Sequence, residues 1–443
     1  MNKIFVFMLL FFFVSGFFLS VFSSVSAAGL VADSWNTKMS MEHERTGCGF
    51  AVLDGKIYAI GGYDYIDTNE RYDPLTNKWS TLAPIPTIRS HMAVVTYQGK
   101  IYCMGGITNN VGSGPAIYRA LNVVEVYDPV TNSWICKAAV PLKGTYFYDT
   151  CYYEEMTAGV VNDQLFALAS SGDLYMYNSS NDSWSSKAAL SAENWHWQVY
   201  VANEHLFVIT YSGEMQMYNP TTDSWIKKTS APPSDTYVIY PFITVTDNKI
   251  IIGDHQKIDS STDDNVQLNL RIYDPKTDKW SERKTNSKSI TFYGGSMFIA
   301  GTSGVFAPKN LYIFGYEQIT KDSFQAFTWV YDIVYDTWTT AKANNIFRNE
   351  RDSQIVSVND VFYLISSASN DQYVPTDYNS KGYYDTRPSA TTTTPVSSEK
   401  NSISFLNNPL TIATLILTVC VGTGTLFSYL KNRKKKNKRY AYE

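Results

Sequence analysis

The stretch YDPLTNKW, Tyr72–Trp79, returns as YDPVTNSW at Tyr127–Trp134 and as YDPKTDKW at Tyr273–Trp280. Looser copies keep the frame: YNSSNDSW (Tyr177–Trp184), YNPTTDSW (Tyr218–Trp225) and YDIVYDTW (Tyr331–Trp338). A seventh tryptophan, Trp35 in ADSW, has the right-hand half of the unit and no left half before it. From Trp35 to Trp338 the successive spacings are 44, 55, 50, 41, 55 and 58 residues. A period near fifty identifies a repeat architecture and limits the fold more than composition does. Within the unit, Tyr72 suits a strand end, Asp73 can accept a hydrogen bond from the backbone N–H two residues on, and Pro74 presets φ for a turn. Thr76–Trp79 then returns to strand composition. The unit is a β-hairpin with an aromatic at each base.

Upstream of it lies a second strand pair. AVLDGKIYAIGG (Ala51–Gly62) and AVVTYQGKIYCMGG (Ala93–Gly106) each hold two apolar runs split by a polar turn. IYAI and IYCM do not alternate, which fits strands covered on both faces. Gly61-Gly62 and Gly105-Gly106 end these strands where the backbone must turn closely. Four short strands per fifty residues, covered on both faces by their neighbours, make one blade of a β-propeller.

The combination R…AVV…GKIYxxGG…YDPxTxxW resembles the kelch repeat, with its two best copies at Arg45–Trp79 and Arg89–Trp134 and the resemblance running over roughly Ala28–Tyr384. Later copies, QLFALASSG (Gln164–Gly172), HLFVITYSG (His205–Gly213) and VFYLISSAS (Val361–Ser369), keep the apolar strand and lose the Gly-Gly pair. The resemblance implies an all-β kelch-type propeller whose ring closes by one terminus lending a strand to a blade built by the other. Trp35 is the orphan outer strand, and Asp352 to about Tyr384 holds the inner strands of a last blade. Six internal units plus one shared unit give seven four-stranded blades, with six as the alternative.

The two ends of the chain are different material. Residues 1–28 run from Lys3 through an uncharged apolar stretch to SSVSAAG, the pattern of a cleaved signal peptide. The propeller is expected over 29–385. Residues 386–408 are Ser/Thr/Pro-rich and read as a stalk, possessing nothing to bury. Residues 409–430 hold an uncharged run, Leu410–Leu430, long enough to cross the ~30 Å hydrocarbon core as a helix. The tail 431–443 begins KNRKKKNKR, which the positive-inside rule places in the cytoplasm and which contacts anionic lipid headgroups. The tetra-Thr stalk and Lys-rich tail resemble those of prokaryotic, including archaeal, surface proteins. The formal net charge is −4; setting aside the tail's seven Lys and Arg, its Glu443, and Lys3 leaves the exported part near −11. That sign excludes nucleic acid as a partner. The exported cysteines Cys48, Cys103, Cys136 and Cys151 allow three pairings, and Cys103 within KIYCMGG reads as an inert core thiol.

Chemistry is sparse. HExxH, GxSxG and paired CxxC motifs are absent, and no two of the five histidines stand at metal-ligand spacing. Kelch-like folds include copper radical oxidases and sugar-acid isomerases, but the oxidase set of two His, two Tyr and a Tyr–Cys link has no match here. The reading is therefore a non-enzymatic cell-surface binding or adhesion module without cofactor or metal, taking a protein or glycan ligand outside the cell. The alternative is an extracellular carbohydrate-active enzyme of the oxidase or sugar-acid isomerase type. Aligned on GKIY, the positions eleven and nine residues before the Lys lead into the innermost strands and form the expected ligand rim. They give Arg45 in the first blade, Arg89 and His91 in the second, Tyr153 and Glu155 in the third, His196 in the fourth and Arg351 in the seventh; Trp195 in ENWHW joins them. Arginines at such a rim are expected to fork onto carboxylates of an acidic ligand. Asn178 and Asn181, in NSS and NDS, are glycosylation candidates in the turn of the third unit.

Overall fold

The computed structural model describes residues 30–63, 66–109, 118–142, 147–148, 156–190, 198–210, 213–232, 242–257, 266–284, 298–320, 323–344 and 353–379. The signal stretch 1–28, stalk 386–408, span 409–430 and tail 431–443 lie outside the described residues, as do Tyr153, Glu155, Trp195, His196 and Arg351. Among the described residues, no helix is long and apolar enough to cross a membrane.

Each repeat folds into a four-stranded antiparallel sheet, here lettered A (innermost) to D (outermost). In blade 1 these are Gly49–Leu53, Lys56–Ile60, Asn69–Asp73 and Lys78–Thr81. The innermost strands of blades 2 to 7 are Ala93–Tyr97, Met156–Val161, Gln198–Ala202, Phe242–Thr246, Phe298–Gly301 and Gln354–Val358. Each packs beside the next, and the last returns to Gly49–Leu53, so seven blades close a ring. Closure uses the strand Ser34–Thr37, which pairs with Asn370–Val374 as the D strand of blade 7, with Trp35 opposite Tyr373. The chain is a seven-bladed β-propeller. The six-blade alternative is set aside.

The B strands explain why IYAI and IYCM do not alternate. Ile57, Ala59 and Ile60 are wholly buried and Tyr58 nearly so, because a neighbouring blade covers each face. The apolar residues divide into seven clusters, one between each pair of neighbouring blades. Ala51, Tyr58 and Ile60 of blade 1, for example, meet Met92, Ile101, Cys103 and Tyr127 of blade 2.

Six of the seven A–B turns have two residues, both with positive φ: Asp54-Gly55, Gln98-Gly99, Asn162-Asp163, Asn203-Glu204, Asp247-Asn248 and Asn359-Asp360. This is the type I′ hairpin, whose twist matches that of the strands it joins. Blade 6 departs from the pattern with a longer loop between Gly301 and Asn310.

Candidate functional site

The repeated hairpin proves to be a clamp between blades. Tyr72 and Trp79 stand opposite each other on strands C and D, with ring centroids 5.3 Å apart. All seven blades repeat the pair at 4.9 to 5.3 Å, including Tyr373 with Trp35 across the ring closure. Each Tyr donates its phenol to an Asn or Asp in the turn, as Tyr127 does to Asn132 Oδ1 at 2.7 Å. That same oxygen accepts a backbone N–H of the preceding blade, from Ala83 at 2.9 Å, while Trp134 Nε1 donates to the carbonyl of Ala83 at 2.8 Å. At six of the seven blade junctions, among the described residues, one residue of a blade is thus held at both polar groups by the next blade, while at the blade 5–6 junction Asp336 pairs with Arg283. Met39, Ala138, Ala188, Thr229 and Lys342 are gripped in the same way by Asn77/Trp79, Asp182/Trp184, Asp223/Trp225, Asp278/Trp280 and Asp33/Trp35. The acceptors all have φ between 47 and 55°, the left-handed region that Asn and Asp tolerate. The expected two-residue Asx turn is also present, with Leu75 N–H on Asp73 Oδ1 at 3.0 Å. Burial first, and then the neighbouring Asp182 carboxylate, raise the Tyr177 phenol well above its ordinary range, so it stays a donor. Backbone N–H donation from Ala138 is the main cause that holds Asp182 below the usual carboxylate value.

The blades differ at the opposite end of the sheets, where D–A and B–C connections lie. In blade 2 the strands Ile107–Asn109, Tyr118–Ala120 and Phe147–Tyr148 form an additional three-stranded sheet. In blade 5 the B and C strands lengthen to Lys249–Lys257 and Val266–Asp274, paired throughout. In blade 6 they lengthen to Asn310–Thr320 and Ser323–Asp332, with a register shift between Gln318 and Thr320. Among the described residues, three of the seven blades therefore carry added or lengthened strands at this end.

Of the expected rim arginines, Arg45 and Arg89 lie at this end but do not face outward. Arg45 and Arg89 are 3% and 0% exposed, and their charges are met inside the chain. Arg45 pairs with Glu70 and donates to the carbonyls of Ala59 and Gly61, each at 2.8 Å. Arg89 stands 3.0 Å from Glu125 and donates to the carbonyl of Cys103 at 3.1 Å. Burial pulls the Arg89 guanidinium down from its ordinary value, and the Glu125 charge works against that pull. The expectation that these two fork onto a ligand's carboxylates is corrected: the carboxylates are Glu70 and Glu125, each two residues before its blade's clamp tyrosine. The spacing that carries this pairing is present in the sequence as NERY and VEVY.

Among the described rim residues, His91 stays partly open. It adopts φ 53° and lies over Gly47, whose missing side chain leaves the imidazole its place: a Cβ there would stand 2.9 Å from the ring. Tyr63 meets the same imidazole edge-on at 6.2 Å. The Gly-Gly pairs serve this end too. A Cβ on Gly61 would stand 2.4 Å from the Arg89 carbonyl, so only glycine lets the blade 1 turn meet the blade 2 entry. Glu42, His43 and Glu70 converge nearby, with Glu70 already neutralised by Arg45.

At the A–B end, a cavity of about 430 Å³ lies between blades 5, 6 and 7. Its charges are spent internally: Lys309 bonds Asp247 at 2.5 Å, and Asp360 accepts from Ser303, Phe306 and Ala307. Cys48 and Cys103 are buried and Cys136 is exposed; burial pushes the Cys103 thiol up to about 12. Asn178 and Asn181 are exposed on the blade 3 hairpin. Asn178 Oδ1 accepts the Ser180 N–H at 3.0 Å.

A family model for the kelch motif matches residues 44–86 and 88–139. Kelch-like protein 25 of Xenopus tropicalis is 26% identical over 181 residues, 37% of this chain and 28% of that protein. The influenza virus NS1A-binding protein homolog of Mus musculus is 41% identical over 69 residues, 15% of this chain and 11% of that protein. The chain therefore matches less than a third of the length of these curated relatives. The solved structure of YjhT covers 69% of this chain and 100% of its own, at 13% identity and a TM-score of 0.44. The chain carries kelch repeats, and the structure extends them to seven blades.

Proposed function

We propose that this chain is a non-catalytic binding module held at the outer surface of a cell, which takes a protein partner on the D–A/B–C end of its propeller. One observation carries the reading. The Tyr–Trp clamp is built alike in every blade, whereas, among the described residues, strand extensions that differ in kind occur on one end only. A rigid ring bearing unlike walls is the arrangement in which loops carry recognition on a fixed scaffold. One relative is named as the homolog of a protein that binds the influenza virus protein NS1A, which supports a protein ligand over a glycan. The signal-like residues 1–28, the uncharged run 410–430 and the basic tail support single-pass anchoring with the propeller outside.

The test shortens the walls. Replacing the blade 5 extension beyond Gly253/Leu270 and the blade 6 extension beyond Phe314/Thr328 with two-residue turns leaves both four-stranded cores intact. Cross-linking in intact cells followed by mass spectrometry then compares partner capture with that of the parent. Loss of capture with unchanged melting supports the proposal; full capture by both variants refutes it. Glycosylation at Asn178 and Asn181 belongs to the same reading, and a mass unaltered by glycosidase treatment contradicts it.

A further inference from the structure

The clamps share a backbone, but the residue four before each clamp Trp, a C–D turn tip in six blades and part of the incoming N-terminal segment in blade 7, differs in a pattern that runs around the ring. The tip residue, four before the clamp Trp, is Val334 in blade 6, Val31 in blade 7, Leu75 in blade 1 and Val130 in blade 2. These side chains are 69%, 68%, 77% and 90% exposed. The same position holds Ser180, Thr221 and Lys276 in blades 3, 4 and 5, also exposed. Four consecutive blades therefore present a naked aliphatic, and the other three present a polar group. Tyr335 beside Val334, and Val305 in the long A–B loop of blade 6, add 45% and 48% exposed apolar groups on the aliphatic side. Nothing in the clamp requires an apolar tip, since Ser180 and Thr221 make the same Asx turn from the same backbone position. Isolated exposed apolar residues need no explanation, but a one-sided series at one register position does.

The polypeptide leaves the propeller at the same end. In a four-stranded antiparallel blade, the A–B and C–D turns share one end, and strand Asn370–Val374 of blade 7 runs toward it. There Tyr378 stacks on Phe306 of the blade 6 loop with centroids 6.2 Å apart, and Asn379 N–H donates to the Phe306 carbonyl at 2.7 Å. The exit thus lies beside blades 6 and 7, inside the aliphatic arc. The sequence beyond it contains the stalk and the uncharged run Leu410–Leu430.

We infer that the A–B/C–D end of the propeller rests tilted on the lipid bilayer, with Val334, Val31, Leu75 and Val130 dipping into the headgroup and acyl boundary. This rests on the anchoring proposed above. Aliphatic tips with a neighbouring Tyr match the composition that settles at a membrane interface. A tether makes the contact intramolecular, so a few tips suffice where a free protein would need a larger apolar face. The polar tips of blades 3 to 5, with Asn178 and Asn181 among them, then tilt away from the lipid. The D–A/B–C end faces outward.

The test uses the full chain reconstituted in phosphatidylcholine vesicles, with Cys136, Cys151 and Cys420 replaced by Ser. A fluorophore is attached to one introduced cysteine at a time: Val31→Cys, Leu75→Cys, Val130→Cys and Val334→Cys against Ser180→Cys, Thr221→Cys and Lys276→Cys. Each is quenched either by nitroxide carried on the lipid acyl chains or by iodide in the water. Lipid-borne quenching of the first four, with iodide quenching of the last three, supports the inference. Iodide access at all seven tips in a chain that floats with its vesicles overturns the inference and leaves the anchoring intact. A chain that does not float with vesicles overturns both. Shielding of the first four that persists in detergent and grows with protein concentration assigns the arc to a second copy, which also overturns it.

Discussion

Asn132 offers the sharpest perturbation of the clamp, because three substitutions there separate its components. Its Oδ1 accepts from Tyr127 at 2.7 Å and from Ala83 N–H at 2.9 Å, and its backbone sits at φ 49°. Asn132→Asp keeps both acceptors, as Asp182, Asp223 and Asp278 do in later blades, and should fall within about 0.5 kcal/mol of the parent. Asn132→Gly keeps the left-handed backbone and loses two hydrogen bonds, at about 1 kcal/mol net each, so about 2 kcal/mol. Asn132→Ala loses the same bonds and adds roughly 1 kcal/mol of left-handed strain, so about 3 kcal/mol. Burial pushes the Tyr127 phenol up to about 12, so it has no way to relieve its loss by ionising at neutral pH. Guanidinium unfolding followed by tryptophan fluorescence reads the series as midpoints at constant slope. An order other than Asp, Gly, Ala refutes this account of the clamp. So does a loss below about 0.5 kcal/mol for Ala, which would put the hydrogen bonds at no net value.

Three further outcomes follow from the same structure. Arg89→Ala strands Glu125 in the blade interface and should cost about 3–5 kcal/mol, whereas Arg89→Met with Glu125→Leu recovers most of it; equal losses by thermal melting in the single and double variants would contradict the buried pair. Deleting Ala28–Lys38 removes the D strand of blade 7 and exposes Asn370–Val374 as an open edge, so light scattering should show aggregation, and parent-like melting would mean that the ring closes without this strand. Backbone N–H donors hold Asp182 and Asp223 below 3.8, and the Tyr331 phenol with Arg283 does so for Asp336. A carboxylate depressed in the folded state contributes stability that is complete above its ordinary value and is lost as pH falls through the folded one. Melting temperature should therefore drop below about pH 4, and Asp182→Asn with Asp223→Asn should flatten that limb; an unchanged acid limb in the double variant would exclude these groups.

Much of the architecture was legible because the repeat carries its own local chemistry. Asp73 and Pro74 specify a turn, IYAI specifies a strand covered on both faces, and Trp35 announced a strand missing from the far end. What escaped was whatever depends on a partner distant in sequence. Tyr373 is the left half of the seventh unit, but it stands in QYVP, and its acceptor Asp33 lies near the other terminus. Arg45 and Arg89 lie at the expected end of the blade but with a neighbour other than the expected ligand. A guanidinium in a loop can turn outward to a ligand or inward to a carboxylate, and only the fold brings Glu70 and Glu125 within reach. The extended hairpins of blades 5 and 6 were hidden for a related reason, since HQK and YEQIT become strand only through their pairing. The one-sided arc of apolar clamp tips needed the blade order, and the blade order needed the closed ring.

The central claim is that like hairpins build the ring and the unlike end takes the partner. Site-by-site photo-cross-linking in intact expressing cells tests it most directly, with a photoreactive residue placed in turn at Tyr63, His91 and Thr108 on one end and at Gln98, Asn203 and Asn359 on the other. The account predicts protein adducts from the first set and none from the second. Protein adducts confined to Gln98, Asn203 and Asn359 would contradict it.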